Sequence, residues 1–282
     1  MLEVGYYNGE IGPLNELKCS VLDRAVYFGD GCYDATMVVN GKIVFLEDHL
    51  DRFYNSLNLL SIPFQYSREE LTTILYSLVK EFDTNNQGMI YWQASRGTGL
   101  RQHNFPKPEE TKPNLFAYIV AKDTASKDKT MSAITVEDER FLFCNIKTLN
   151  LIPNVLAAQK SLEAGVDEVI FHRGQEVTEM AHSNISFIIK GHFVYHPFDN
   201  KILPGIAVKH LIKNAKKLGI PTEERIVTLE EALAADELIN SSSGAICQRI
   251  VRVDEKPVGK KDSETFTKLQ DAVFEEFYGS VN

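Results

Sequence analysis

Cysteine is scarce in this chain: Cys19, Cys32, Cys144 and Cys247 are the only four in 282 residues. None forms a CxxC pair and the spacings suggest no disulfide framework, which excludes a small cysteine-stapled scaffold. Long apolar runs are also missing. No stretch approaches the roughly 18 residues needed to span a bilayer. The start, Met1-Leu2-Glu3-Val4-Gly5, has neither a basic region nor an apolar one, so no signal peptide is expected. Positive charge is in deficit, with 30 Lys and Arg against 39 Asp and Glu, a net charge of −9 and a pI near 5.4. Such a chain needs a local basic stripe to hold nucleic acid. Lys213, Lys216 and Lys217, and the Lys260-Lys261 pair, are too short for one and read as solvated faces. A soluble protein of the reducing cytoplasm is expected, binding neither nucleic acid nor membrane.

Several motifs are absent as well. No GxSxG elbow supports a serine hydrolase. Arg96-Gly97-Thr98-Gly99 lacks the Gly-Lys-Ser/Thr ending of a phosphate-binding P-loop. His192 and His196 have a metal-like spacing but sit in a strand-like run, where residues four apart are too distant to chelate as they do on a helix. No metal is expected.

What is present is an ordinary globular balance, 44% hydrophobic and 24% charged. The length argues for two domains. Val4 to Tyr7 reads as a strand turning at Asn8-Gly9. Tyr33 to Val39 and Lys42 to Leu46 are strands joined by Asn40-Gly41, a strong hairpin signal. Leu50, Phe53, Tyr54, Leu57 and Leu60 recur at helical spacing. Ser67 and Glu70 form a capping box for a second helix. Met89 to Ser95 and Leu115 to Ala121 read as strands. In the second half, strands are expected at Ser132 to Glu137, Glu168 to His172, Ile185 to Ile189 and His192 to His196. Helices are expected at Asn154 to Ala164, Ile206 to Leu218, Leu229 to Ala235 (with Thr228 and Glu231 as a capping box) and Glu264 to Tyr278. The fold class is α+β or α/β in two domains. The expected division is a small N-terminal α/β domain over 1–121, a polar linker over 122–130, and a larger C-terminal domain over 131–282 with a mixed sheet, helices and Lys147.

Three groups carry candidate chemistry. Lys147 lies in Cys144-Asn145-Ile146-Lys147-Thr148-Leu149-Asn150, Glu179 ends Glu176-Val177-Thr178-Glu179, and Leu203-Pro204-Gly205-Ile206-Ala207 opens a helix. A lysine that can form an imine, an acid, and a helix amino end are the three attachments that a pyridoxal phosphate ring needs. Ser241-Ser242-Ser243-Gly244 adds hydroxyls, and Arg52 adds a fork for phosphate or carboxylate. Arg140, seven residues before Lys147, is a candidate cationic neighbour that would lower its proton affinity. Taken singly, each of these also reads as an ordinary exposed residue.

Together, and in order along nearly the whole chain, a set of segments resembles the class IV, fold-type IV pyridoxal-phosphate aminotransferases. They are Gly29-Asp30-Gly31-Cys32-Tyr33, His49-Leu50-Asp51-Arg52-Phe53, Ser95-Arg96-Gly97-Thr98-Gly99, Ile146 to Asn150, and Val177-Thr178-Glu179 with Ser183-Asn184. Arg101-Gln102-His103, just past the Arg-Gly-Thr loop, points to the branch of that family acting on D-amino acids. The resemblance implies transamination of D-amino acids of the D-alanine type with 2-oxo acids such as 2-oxoglutarate, in ping-pong order. It implies pyridoxal 5′-phosphate as cofactor, with Lys147 as the Schiff-base lysine and proton shuttle and Glu179 on the pyridine nitrogen. Arg52, the backbone of Ile206 and Ala207, and the serines Ser242 and Ser243 would hold the phosphate, and Leu203 would pack on the ring. Tyr33, Arg101 and His103 would trap the substrate carboxylate, with Arg101 and His103 reaching in from a second subunit of a homodimer with shared active sites.

The sequence departs from the family pattern at four places. Ala207 stands where threonine is common, leaving only a backbone donor, and Ser243 replaces another usual threonine. His182 stands in place of a small serine and Met180 in place of glycine. The alternatives within the family are a branched-chain L-amino-acid aminotransferase, an aminodeoxychorismate lyase and an (R)-amine transaminase. A non-catalytic relative would need a broken lysine or ring acid, and neither is broken.

Overall fold

A computed structural model describes residues 3–82 and 87–281. The chain separates into two compact units, Met1–Thr124 with Ile146–Asn150 and Ser280–Asn282, and Ala125–Asn145 with Leu151–Gly279.

The first unit contains strands β1 (Val4–Tyr7) and β2 (Glu10–Pro13), helix α1 (Arg24–Phe28), strands β3 (Gly31–Val39) and β4 (Lys42–Ile43), helices α2 (Leu46–Leu59) and α3 (Arg68–Glu81), and strands β5 (Gly88–Ser95) and β6 (Asn114–Ala121). The strands form a six-stranded antiparallel sheet in the order β2-β1-β6-β5-β3-β4. Both residues of the Asn40-Gly41 turn have positive φ, 52° and 71°. That is the geometry that an Asn-Gly hairpin favours, because its twist matches the strands it joins. The Ser67–Glu70 capping box is present in full, with each side chain accepting from the other residue's backbone N–H. Along β5 and β6 burial alternates, so Ile90, Trp92, Leu115, Ala117 and Ile119 face the core with Leu50, Phe53 and Leu57 of α2 and Leu71, Leu75 and Leu78 of α3. The other face carries a ladder of stacked rings, Tyr33 on Tyr91 and Tyr91 on Tyr118.

The second unit contains β7 (Thr130–Glu137), α4 (Ile152–Glu163), β8 (Glu168–Arg173), β9 (Glu176–Met180), β10 (Asn184–Ile189), β11 (His192–Tyr195), α5 (Ile206–Lys217), β12 (Thr222–Glu224), α6 (Leu229–Ala234), β13 (Glu237–Ser241), β14 (Gln248–Val253), β15 (Lys256–Pro257) and α7 (Ser263–Gly279). Its nine-stranded sheet runs β12-β11-β10-β13-β14-β7-β8-β9, with β15 on β14. The pairs β7/β8, β14/β7 and β11/β12 are parallel and the others antiparallel, so the sheet is mixed. Met131, Ile170, Phe187, Val194, Leu238 and Ile250 build its core.

Several sequence expectations change here, among them the strand expected over Lys42 to Leu46, which ends at Ile43 as Leu46 opens α2. Strands β13 and β14 are additions, hidden in the sequence because Glu237, Asn240, Gln248 and Arg249 break their apolar pattern. The fully buried Glu237 carboxylate is met by Arg249 at 2.9 Å. The second capping box is half made: Thr228 accepts from the Glu231 N–H, but the Glu231 carboxylate turns to Arg225, at 2.6 Å. The domain boundary also differs. Ile146–Asn150, expected with the C-terminal domain, groups with the first unit. Backbone bonds hold it on β3: the Tyr33 N–H donates to Lys147 O (3.0 Å) and the Leu149 N–H to Gly31 O (3.1 Å). Among the described residues no helix is long and apolar enough to cross a membrane.

Candidate active site

In the first unit the candidate lysine is set by close backbone packing. Gly31 opens β3, and a Cβ there would meet Ala94 O at 2.4 Å and Leu149 Cδ1 at 2.8 Å. Only glycine lets β3, β5 and the lysine segment approach this closely. The Lys147 N–H donates to Ser56 Oγ of α2 at 3.3 Å, and its Nζ stands 4.3 Å from the centre of the Tyr33 ring. Lys147 is half-buried, on a segment held by backbone bonds.

One residue on from Tyr33, Asp34 points into the core and is completely buried. Arg52 donates to it twice, Nε to Oδ2 (2.9 Å) and Nη2 to Oδ1 (2.7 Å), and His49 Nδ1 lies 2.8 Å from Oδ1. Burial works to raise the Asp34 carboxyl, yet Arg52 and His49 hold it well below the usual carboxylate range. This bidentate pair fixes the plane of the Arg52 guanidinium. Sequence reasoning misses Asp34. The available signal is a charged residue at a core-facing position of a strand, which must be paired.

Arg101 and His103 gather elsewhere in the same unit. Both are exposed, and both lie against the Phe28 ring, at 4.9 Å and 5.2 Å. Arg24 covers the same ring and donates to Gln102 O at 2.7 Å, which fixes the backbone between them. Tyr33 groups with Lys147 and Tyr91 instead.

In the second unit Glu179, near the end of β9, sits in a polar socket. Arg140 Nη1 donates to its Oε1. Its Oε2 accepts from Asn184 Nδ2 (3.0 Å) and from the Leu203 N–H (3.1 Å). Arg140 is itself held by both oxygens of Asp138, at 2.9 Å each. Within the second unit the Arg140 guanidinium is committed to Asp138 and Glu179. Burial pushes the Glu179 carboxyl up, against Arg140 and the Leu203 N–H, which pull it down. Such an acid is suited to sharing a proton with a weak base. Cys144 does not compete as a nucleophile, since burial pushes its thiol up to about 11.

Close by in sequence, Leu203 leads into Gly205, the N-cap of α5, which has no side-chain cap. The first N–H groups of α5, those of Ile206 and Ala207 among them, lack intrahelical partners. Ser241, paired across the ladder with Asn184, has a buried hydroxyl with no partner among the described residues. Ser242 accepts from the Ala245 N–H at 3.1 Å, and Ser243 is half-buried in the same turn. Unmet donors at a helix amino end suit a phosphate, and an amine and a buried acid suit a pyridine aldehyde. Taken unit by unit, the residue types present are those that pyridoxal phosphate needs. Met180 lies in the core, and His182 pairs with the buried Glu168 at 2.8 Å. His192 and His196 are engaged by Glu223 (2.5 Å) and Glu176 (2.9 Å), and the Lys201 ammonium lies 2.8 Å from both oxygens of Glu176.

The chain belongs to the aminotransferase class IV family, whose model matches residues 31–253. It is an aminotransferase. It is 36% identical over 281 residues to a D-alanine aminotransferase of Staphylococcus aureus, covering 99% of both chains. It is 39% identical over 256 residues to a D-alanine aminotransferase of Staphylococcus haemolyticus, covering 90% of both. Its fold is that of the branched-chain aminotransferase of Thermoproteus uzoniensis, solved with norvaline. The TM-score is 0.89 at 21% identity, covering 99% of this chain and 96% of that one.

Proposed function

We propose that this protein transfers the amino group of D-amino acids, D-alanine foremost, to 2-oxo acids such as 2-oxoglutarate in two half-reactions, using pyridoxal 5′-phosphate. When bound, that cofactor supplies an aldehyde carbon and a ring that draws electrons from the substrate Cα. Lys147 would hold it through Nζ and would take the substrate Cα proton at that same atom. Glu179 holds a proton on the ring nitrogen. Arg52, the N–H groups of Ile206 and Ala207, and the hydroxyls of Ser242 and Ser243 hold the phosphate. Leu203 packs on the ring.

Handedness follows from where the carboxylate is held. Only the α-hydrogen must face Lys147, so exchanging the carboxylate and side-chain positions inverts the enantiomer accepted. The observation that carries the D reading is the exposed Arg101–His103 pair braced on Phe28. With Tyr33 it forms the carboxylate trap. In cofactor-loaded protein without oxo acid, D-alanine should exchange the visible absorbance for the near-ultraviolet band of the aminated cofactor, and L-leucine should not. Conversion by L-leucine alone would establish the branched-chain reading instead.

The trap is completed by a second copy of the chain. Phe141, Leu142 and Phe143 are 57%, 51% and 67% exposed, and Ile152, Val155 and Leu156 of α4 are 61%, 58% and 58% exposed. Apolar surface of that extent marks an interface. Arg101→Ala and Lys147→Ala proteins are each expected to be inactive. Mixed and reassociated, they should regain up to about a quarter of wild-type activity, because one site of each mixed dimer then holds both residues. Sedimentation showing only monomer, or no regain, would sink the shared-site arrangement. The four cysteines are all free, in keeping with a reducing cytoplasm.

A further inference from the structure

We infer that Asn184 is a positioning residue whose amide sets the spacing between the Glu179 carboxylate and the amino end of α5. The inference rests on the reading that those two groups grip one pyridoxal phosphate.

Asn184 opens β10 and is 6% exposed. Its Nδ2 carries two hydrogens. One goes to Glu179 Oε2 at 3.0 Å and the other to Leu203 O at 2.9 Å. Its Oδ1 fills the place of a side chain at Gly205: a Cβ there would lie 1.9 Å from it. Gly205 has φ −66° and ψ 141°, a conformation open to any residue, so glycine is needed there for space and not for backbone freedom. One amide thus touches the acid, the loop after it and the cap of the helix. The ring nitrogen and phosphate of the cofactor are joined by a short covalent arm that allows only a narrow range of separations. Glu179 and α5 can hold both ends only if their own separation stays within that range, and Asn184 is the side chain that spans it.

The test is titration of cofactor-free protein with pyridoxal phosphate, read by visible absorbance, beside the melting temperature of each cofactor-free variant. Asn184→Ala and the equally shaped Asn184→Asp should weaken Kd on the order of 10- to 100-fold, the usual cost of losing a group that orients a ligand-binding residue. Gly205→Ala should weaken it as well, because its methyl meets Oδ1. Adding Asn184→Ala to Gly205→Ala should then cost less than the sum of the two. A merely structural asparagine would lower the melting temperature and leave Kd within about twofold of wild type. That result, or strict additivity in the double variant, overturns the inference while the cofactor reading stands. A wild type that takes up no cofactor overturns both.

Discussion

Lys147→Ala should leave a folded protein that turns over on the order of 10⁴-fold more slowly, the loss expected when a positioned proton-transfer group is removed. The fold survives because the segment is held by its backbone. Lys147 O accepts from the Tyr33 N–H and its own N–H reaches Ser56 Oγ. Among the described residues the side chain contributes its contact with the Tyr33 ring, about 0.5–1 kcal/mol at a partly exposed site. The melting temperature should therefore hardly move, while the visible absorbance of cofactor-loaded protein disappears. A variant that keeps both that absorbance and the wild-type rate would remove Lys147 from the site.

Glu179→Gln should lower kcat by roughly 10²- to 10³-fold, the range seen when one preorganised electrostatic group is lost. The amide keeps the shape of the acid but cannot hold a proton on the ring nitrogen. Arg140 would lose one of its two carboxylates, yet Asp138 still meets it on both oxygens. A buried cation is therefore not stranded, and the variant should fold. Stability against pH gives a second readout in the cofactor-free protein. Burial raises the Glu179 carboxyl, so its contribution to stability is full below the ordinary glutamate value of about 4.3 and is lost as pH rises through its raised folded value. Relative to wild type, Glu179→Gln should gain stability as pH climbs through that window. Denaturant unfolding at pH 4 and pH 7 measures the difference. A relative loss of stability with rising pH would show that Arg140, and not burial, dominates the carboxyl.

The local pieces of this protein are determined by its sequence. The Asn40-Gly41 turn and the Ser67–Glu70 box involve neighbours within four residues and follow from backbone sterics and unpaired N–H groups. The order of the lysine, acid and helix-start segments is linear information and is enough to identify the family. Partner choice among charged groups is different. Arg140 belongs to Glu179 and Asp138, Asp34 holds Arg52, and Glu231 leaves its cap for Arg225. Each outcome depends on which groups become buried together, because a charge removed from water must find its counter-charge wherever the chain has brought one. The same reason hides β13 and β14, whose buried polar residues read as surface. It was also left to the tertiary structure to decide that residues 146–150 pack on β3. Backbone hydrogen bonds to that strand, and a glycine where the segments cross, outweigh their place in the chain.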